Sequence, residues 1–104
     1  MKTITREELK VRMDRGDDFV LLEVLGEASC RRGHLPGAIR PQDTSRALEL
    51  FPDKDTFVVA YCSSFNRRSS TRVVRELRAM GYENAHEYEG GKQDWIEAGY
   101  PVET

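Results

Sequence analysis

Cys62 closes an apolar, β-branched run, Phe57-Val58-Val59-Ala60-Tyr61. A polar and basic stretch follows, Ser63-Ser64-Phe65-Asn66-Arg67-Arg68-Ser69-Ser70, and it leads into a helical pattern. A cysteine at a strand end, ahead of a helix N-terminus and beside arginines, sits where a thiolate is stabilised. Such surroundings lower thiol pKa values from about 8.5 to roughly 3.5–7.5. The backbone N–H groups of a loop of this kind also make an anion site. Nucleophilic sulfur chemistry on an anionic substrate is the reaction class these residues suit, with Cys62 as nucleophile and residues 63–70 as the anion-binding loop.

The local charge agrees. Arg67, Arg68, Arg72, Arg75 and Arg78 meet a lone acid, Glu76, whereas the segment from Glu83 to Glu103 turns acidic. The whole chain carries a formal net charge of −2, which argues against a nucleic-acid partner. With two cysteines and no Cys-x-x-Cys pair, free thiols are expected rather than a disulfide framework. Two histidines are too few to suggest a structural zinc site, so no metal is expected.

The elements that must hold Cys62 are legible. Thr5-Arg6-Glu7-Glu8 is a capping box, Leu9 and Met13 share a helical face, and Gly16 offers a C-cap, which predicts a helix over 6–15. Phe19 to Val24 is a nearly continuous apolar run, suited to a strand covered on both faces. Gly33 to Ile39 reads as a turn feeding a short strand, and Asp43 or Thr44 as the cap of a short helix through Leu50. A strand at 57–61 follows the turn cluster Pro52-Asp53-Lys54-Asp55. Val73, Val74, Leu77 and Met80 have helical spacing, closed by Gly81. A strand over 85–88, a Gly90-Gly91 turn and a helix through Trp95 and Ile96 to Gly99 complete the order.

Alternating strands and helices imply an α/β parallel sheet covered on both faces, with ligands at the C-terminal ends of its strands. At 104 residues, with 38% hydrophobic and 33% charged residues, a single domain over 1–104 is expected. Its apolar runs are far too short to span a bilayer. The N-terminus lacks a signal-peptide core, so a cytoplasmic location is expected. Nothing in the pattern demands an obligate interface, and a monomer is the expectation.

Several blocks together resemble the single-domain rhodaneses. They are Val20-Leu21-Leu22-Glu23-Val24, Gly33-His34-Leu35-Pro36-Gly37-Ala38-Ile39, Val59-Ala60-Tyr61-Cys62, Gly81-Tyr82-Glu83-Asn84, Gly90-Gly91 with Trp95, and Ala98 to Val102. The resemblance implies a five-stranded parallel sheet and a cysteine that carries sulfane sulfur as a persulfide. The donor would be a small anion, thiosulfate or a persulfide. The acceptor would be cyanide or a thiol, including a thiol on a protein. No cofactor is implied.

Three features depart from the family pattern. Glu23-Val24-Leu25 stands where the family usually writes Asp-Val-Arg, removing an arginine salt bridge. The segment from Cys62 to Gly81 is slightly long, which is similar to a subgroup with an extended active-site loop. That subgroup often has a second cysteine where this chain has Arg67, and a serine where it has Ser70. The usual loop glycine is absent, and Phe65 either shields the persulfide or packs the loop.

Two loop registers remain open. Cys-x4-Arg, read to Arg67, resembles sulfurtransferases; Cys-x5-Arg, read to Arg68, resembles the rhodanese-fold phosphatases and arsenate reductases. The wider register accommodates a tetrahedral oxyanion, but phosphatase chemistry needs a general acid, and none lies between Cys62 and Ser70. A non-catalytic regulatory domain is the third alternative. Elsewhere, Cys30 reads as buried packing, His34 as a structural turn residue, His86 as a surface residue and Trp95 as a core anchor. Arg72, Arg75 and Arg78 read as a solvated helix face, and Ser69 or Ser70 as a helix cap.

Overall fold

The computed structural model describes residues 2–24, 33–39, 51–62 and 69–103. Helix α1 runs over Arg6–Arg15. The Thr5 hydroxyl accepts from the Glu8 N–H at 3.2 Å, and Gly16 ends the helix in the left-handed conformation at φ 71°. The Glu8 carboxylate meets the Thr5 hydroxyl at 3.4 Å rather than a backbone donor, so half of the expected capping box forms.

Strands β1 (Val20–Glu23), β2 (Val58–Tyr61) and β3 (Ala85–Tyr88) make a parallel sheet in that order. Its register aligns Leu22 with Ala60 and Glu87, and Glu23 with Tyr61 and Tyr88. Helix α2 (Ser69–Ala79) links β2 to β3, and α3 (Gly91–Glu97) follows β3. A parallel pair needs such a crossover because no short turn can bring the second strand back in the same direction.

Alternation along the strands sends side chains into two cores. One face packs Leu22, Val58, Ala60 and Ala85 beneath Val73, Val74 and Leu77 of α2, with Phe51 and Tyr82 at the margin. The other packs Leu21, Val59, Tyr61 and Tyr88 against Leu9 of α1 and Trp95 of α3. β2 is buried at every position, as a central strand covered by both layers must be.

Five strands were expected; the described residues form three, with one parallel bridge at each outer edge. Ile39 pairs beside Leu22 and Thr3 beside Glu87. Each bridge rests on two backbone bonds, Ile39 N–H to Leu21 and Glu23 N–H to Ile39 on one side, Ile4 N–H to Glu87 and Glu87 N–H to Lys2 on the other. Among the described residues, those contacts hold an edge without extending into a ladder. The expected helix through Leu50 and Cys30 lie outside the described residues. Among the described residues, no helix is long and apolar enough to cross a membrane.

Candidate active site

Cys62 directly follows β2 and is 2% exposed. Its sulfur lies between two backbone groups. The N–H of Ser70, the second residue of α2, points at Sγ from 3.0 Å, and the thiol faces the carbonyl of Val24 at 3.6 Å. A helix leaves its first N–H groups without internal partners, and one of these is spent on the sulfur. The protonated thiol can donate to Val24, and the thiolate can accept from Ser70, so both ionisation states find a partner. The strand end is fixed from behind, where the Lys92 N–H donates to the Cys62 carbonyl at 2.9 Å.

A buried acid stands beside this arrangement. Glu87 on β3 faces α2 and is 6% exposed. Its Oε2 accepts from the Ser70 hydroxyl at 3.0 Å and from the Thr71 hydroxyl. Ser69 or Ser70 reads as the helix cap in the sequence, but both fall inside α2, and the Ser70 hydroxyl bonds to the sheet instead. The hydroxyl reaches across to the sheet because a carboxylate there is a stronger acceptor than the local backbone.

On the opposite face, Glu23 is fully buried. Its Oε1 accepts from the Tyr61 hydroxyl at 2.8 Å and pairs with the Lys92 ammonium at 3.4 Å. The Tyr61 oxygen in turn accepts from the Leu35 N–H at 3.1 Å, tying the Gly33–Ile39 turn to the sheet. Among the described residues, Glu23 Oε2 has no hydrogen-bond partner. Here Lys92 supplies a cation to the β1 acid.

Of the site residues read from the sequence, the structure places Cys62 and Ser70 in contact. Ser69 opens α2. Ser63, Ser64, Phe65, Asn66, Arg67 and Arg68 lie outside the described residues, and so does the choice between the two arginine registers. Glu87 and Lys92 were not singled out as functional. The available signal for Glu87 was a carboxylate at an inward position, two residues after Ala85 in a short strand.

His86, expected at the surface, is half-buried: its ring stacks on Phe57 at 4.2 Å, and Nδ1 meets the Asn84 carbonyl at 2.8 Å. Burial pulls its pKa below the ordinary histidine value. His34, read as a structural turn residue, instead forms an antiparallel bridge with Glu103 through two backbone bonds of 2.8 Å, just ahead of the turn at Pro36-Gly37. Arg72 is exposed and pairs with Glu76 at 3.4 Å.

A cavity of about 320 Å³ opens among Thr3, Thr5, Arg6, Tyr88, Glu89 and Asp94, and Cys62 is not part of its lining. Within it, Arg6 meets Asp94 at 3.1 Å, and the Tyr88 hydroxyl donates to Asp94 at 2.6 Å. Burial, then the Asp94 carboxylate, hold the Tyr88 phenol well above its ordinary range. Cys62 lies apart from this cavity, just after β2, with the Ser70 N–H directed at its sulfur.

Comparison with known proteins agrees with this geometry. The rhodanese-like domain family model matches residues 5–98. The HTH-type transcriptional regulator Rv0324 of Mycobacterium tuberculosis is 34% identical over 103 residues, covering 96% of this chain and 44% of the regulator. A rhodanese-related protein from Thermoplasma volcanium superposes with a TM-score of 0.78 at 26% identity, over 99% of this chain and 98% of that one. The thiosulfate sulfurtransferase of Pseudomonas aeruginosa gives 0.85 at 24% identity, over 99% of this chain and 20% of that one. The chain spans about half the length of the curated relatives it matches.

Proposed function

The chain belongs to the rhodanese-like domain family, and on that premise we propose that it is a sulfurtransferase whose Cys62 carries sulfane sulfur as a persulfide. The observation that carries this reading is the Ser70 N–H aimed at the Cys62 sulfur from 3.0 Å at a strand end. In the first step the Cys62 thiolate attacks the outer sulfur of thiosulfate. A Cys62–sulfur bond forms, the donor S–S bond breaks, and sulfite leaves with the bonding pair. In the second step an acceptor thiolate, or cyanide, attacks the outer sulfur of the persulfide. The product is a new persulfide or thiocyanate, and the Cys62 thiolate returns. This is ping-pong covalent catalysis.

The negative charge stays on sulfur throughout, and the Ser70 N–H is suited to holding it. The loop N–H groups of residues 63–69 and Arg67 or Arg68 would add to that stabilisation and retain the anionic donor. The reaction needs no metal or organic cofactor. A reducing compartment such as the cytoplasm would keep Cys62 available. We read the chain as a single domain, acting as a monomer, with the Ile39 and Thr3 bridges marking the edge strands of a five-stranded sheet.

The similarity to a transcriptional regulator favours a second reading, in which the Cys62 persulfide is a signal rather than an intermediate. One experiment separates the two. Intact mass spectrometry after thiosulfate treatment is expected to show one added sulfur atom in the wild type and none in Cys62→Ser. Removal of that sulfur by cyanide, with thiocyanate formed over many cycles, supports the transferase. A stable adduct without turnover would assign the regulatory role, and no adduct at all overturns both.

A further inference from the structure

Glu87 has no place in the sulfur chemistry just described, yet it is a buried carboxylate set beside the nucleophile. The parallel register puts Glu87 opposite Ala60, two residues before Cys62 on the neighbouring strand. Alternation turns the side chains of Ala60, Cys62 and Glu87 to the α2 face. From there the Glu87 Oε2 accepts hydrogen bonds from the hydroxyls of both Ser70 and Thr71. The same Ser70 presents its backbone N–H to Cys62 Sγ. A single residue thus joins the acid on β3 to the sulfur on β2.

We propose that Glu87 is a positioning residue: it pins the first turn of α2 to the sheet and so keeps the Ser70 N–H aligned on the Cys62 sulfur. The proposal rests on the reading of Cys62 as the nucleophile. Helix ends fray, and a first turn free to move would lose the short N–H to sulfur contact first. Two hydroxyls on adjacent residues, held by one carboxylate oxygen, fix both the height and the rotation of that turn. The carboxylate is a costly way to do this, because its charge also opposes a thiolate nearby. The hydrogen bonds, rather than the charge, are therefore what the site uses.

The other described ionisable groups packed around the site are already engaged. Lys92 on α3 pairs with Glu23 across the sheet, and Arg72 on α2 pairs outward with Glu76.

The test is the rate of Cys62 alkylation by iodoacetamide across the neutral and alkaline range, read on folded protein for Glu87→Ala and Glu87→Gln. Glu87→Ala is expected to slow alkylation about tenfold near neutrality and to move the pH midpoint upward, the loss of one hydrogen bond to a charged sulfur. Glu87→Gln keeps an oxygen with two lone pairs and removes the charge, so it is expected to restore the wild-type rate or exceed it. Should Glu87→Ala fail to fold, Ser70→Ala combined with Thr71→Val cuts the same anchors from the helix side and is expected to give the same shift.

A wild-type rate and midpoint in Glu87→Ala, or in the Ser70/Thr71 pair, overturns the proposal. So does a Glu87→Gln protein as slow as Glu87→Ala. A purely structural role would lower thermal stability and leave the midpoint of the folded protein where it was. Alkylation requires no sulfur donor, so the anchoring is measured even where thiosulfate fails to load Cys62.

Discussion

Replacing Tyr61 with phenylalanine isolates one oxygen at the back of the site. The ring stays, so the packing of a fully buried residue is retained. The hydroxyl accepts from the Leu35 N–H at 3.1 Å and donates to Glu23 Oε1 at 2.8 Å, and both partners are fully buried. Without it the Leu35 N–H loses that acceptor, and among the described residues Glu23 Oε1 keeps Lys92 as its partner. A hydrogen bond to a charged group contributes about 1.5–3 kcal/mol, and stranding a buried donor costs about 1–3 kcal/mol. These overlap, and a loss of about 3 kcal/mol is expected. At about 4–8 °C per kcal/mol for a domain of this size, Tm should fall by roughly 12–24 °C.

The assay is urea unfolding followed by two probes, with the slope required to match the wild type. The comparison variant is Tyr82→Phe, whose hydroxyl donates to the Phe51 carbonyl at 2.8 Å, a neutral pair. It should lose only about 1 kcal/mol. Equal losses in the two variants, or a Tyr61→Phe loss under about 1 kcal/mol, would refute the claim that Glu23, Tyr61 and Leu35 form a charged buried network.

Three further outcomes are expected. Burial raises the phenols of Tyr82 and Tyr88. The unfolded chain therefore ionises first, and stability should be complete below about pH 10 and decline above it, which urea midpoints measured at rising pH would detect. Burial lowers His86, so its contribution is present above the unfolded value of about 6.5 and lost as pH falls through its lower folded value; His86→Gln should flatten that acid limb of the stability curve. Gly90 has an ordinary φ of −63°, but an added Cβ would lie 2.6 Å from Asp94 Cβ, on a side chain fixed by Arg6 and Tyr88. Gly90→Ala should therefore destabilise by about 1–3 kcal/mol in thermal unfolding, through overpacking rather than backbone strain.

The sequence determined the elements well wherever a local signal was strong. The helix over 6–15 follows from Thr5 at its cap and Gly16 at its end, and both act within a few bonds of the residues they affect. The apolar runs ending at Glu23 and Tyr61 had to be strands buried on both faces, and the ordered blocks from Val20 to Val102 identified the family. Cys62 at a strand end was legible for the same reason. Edge pairing was not: single bridges at Ile39 and Thr3 depend on where the sheet margins come to rest.

Only the tertiary structure decided what surrounds the sulfur. Glu87 and Ser70 are seventeen positions apart in the chain, and Glu23 and Lys92 are farther still. Neither pair has a spacing that local periodicity can read. The parallel register brings them together, and burial then makes the pairing obligatory, because a carboxylate taken out of water must find donors. His86 shows the same rule from the other side. Its acidic neighbours suggested solvent, whereas the ring of Phe57, just ahead of β2, stacks on it.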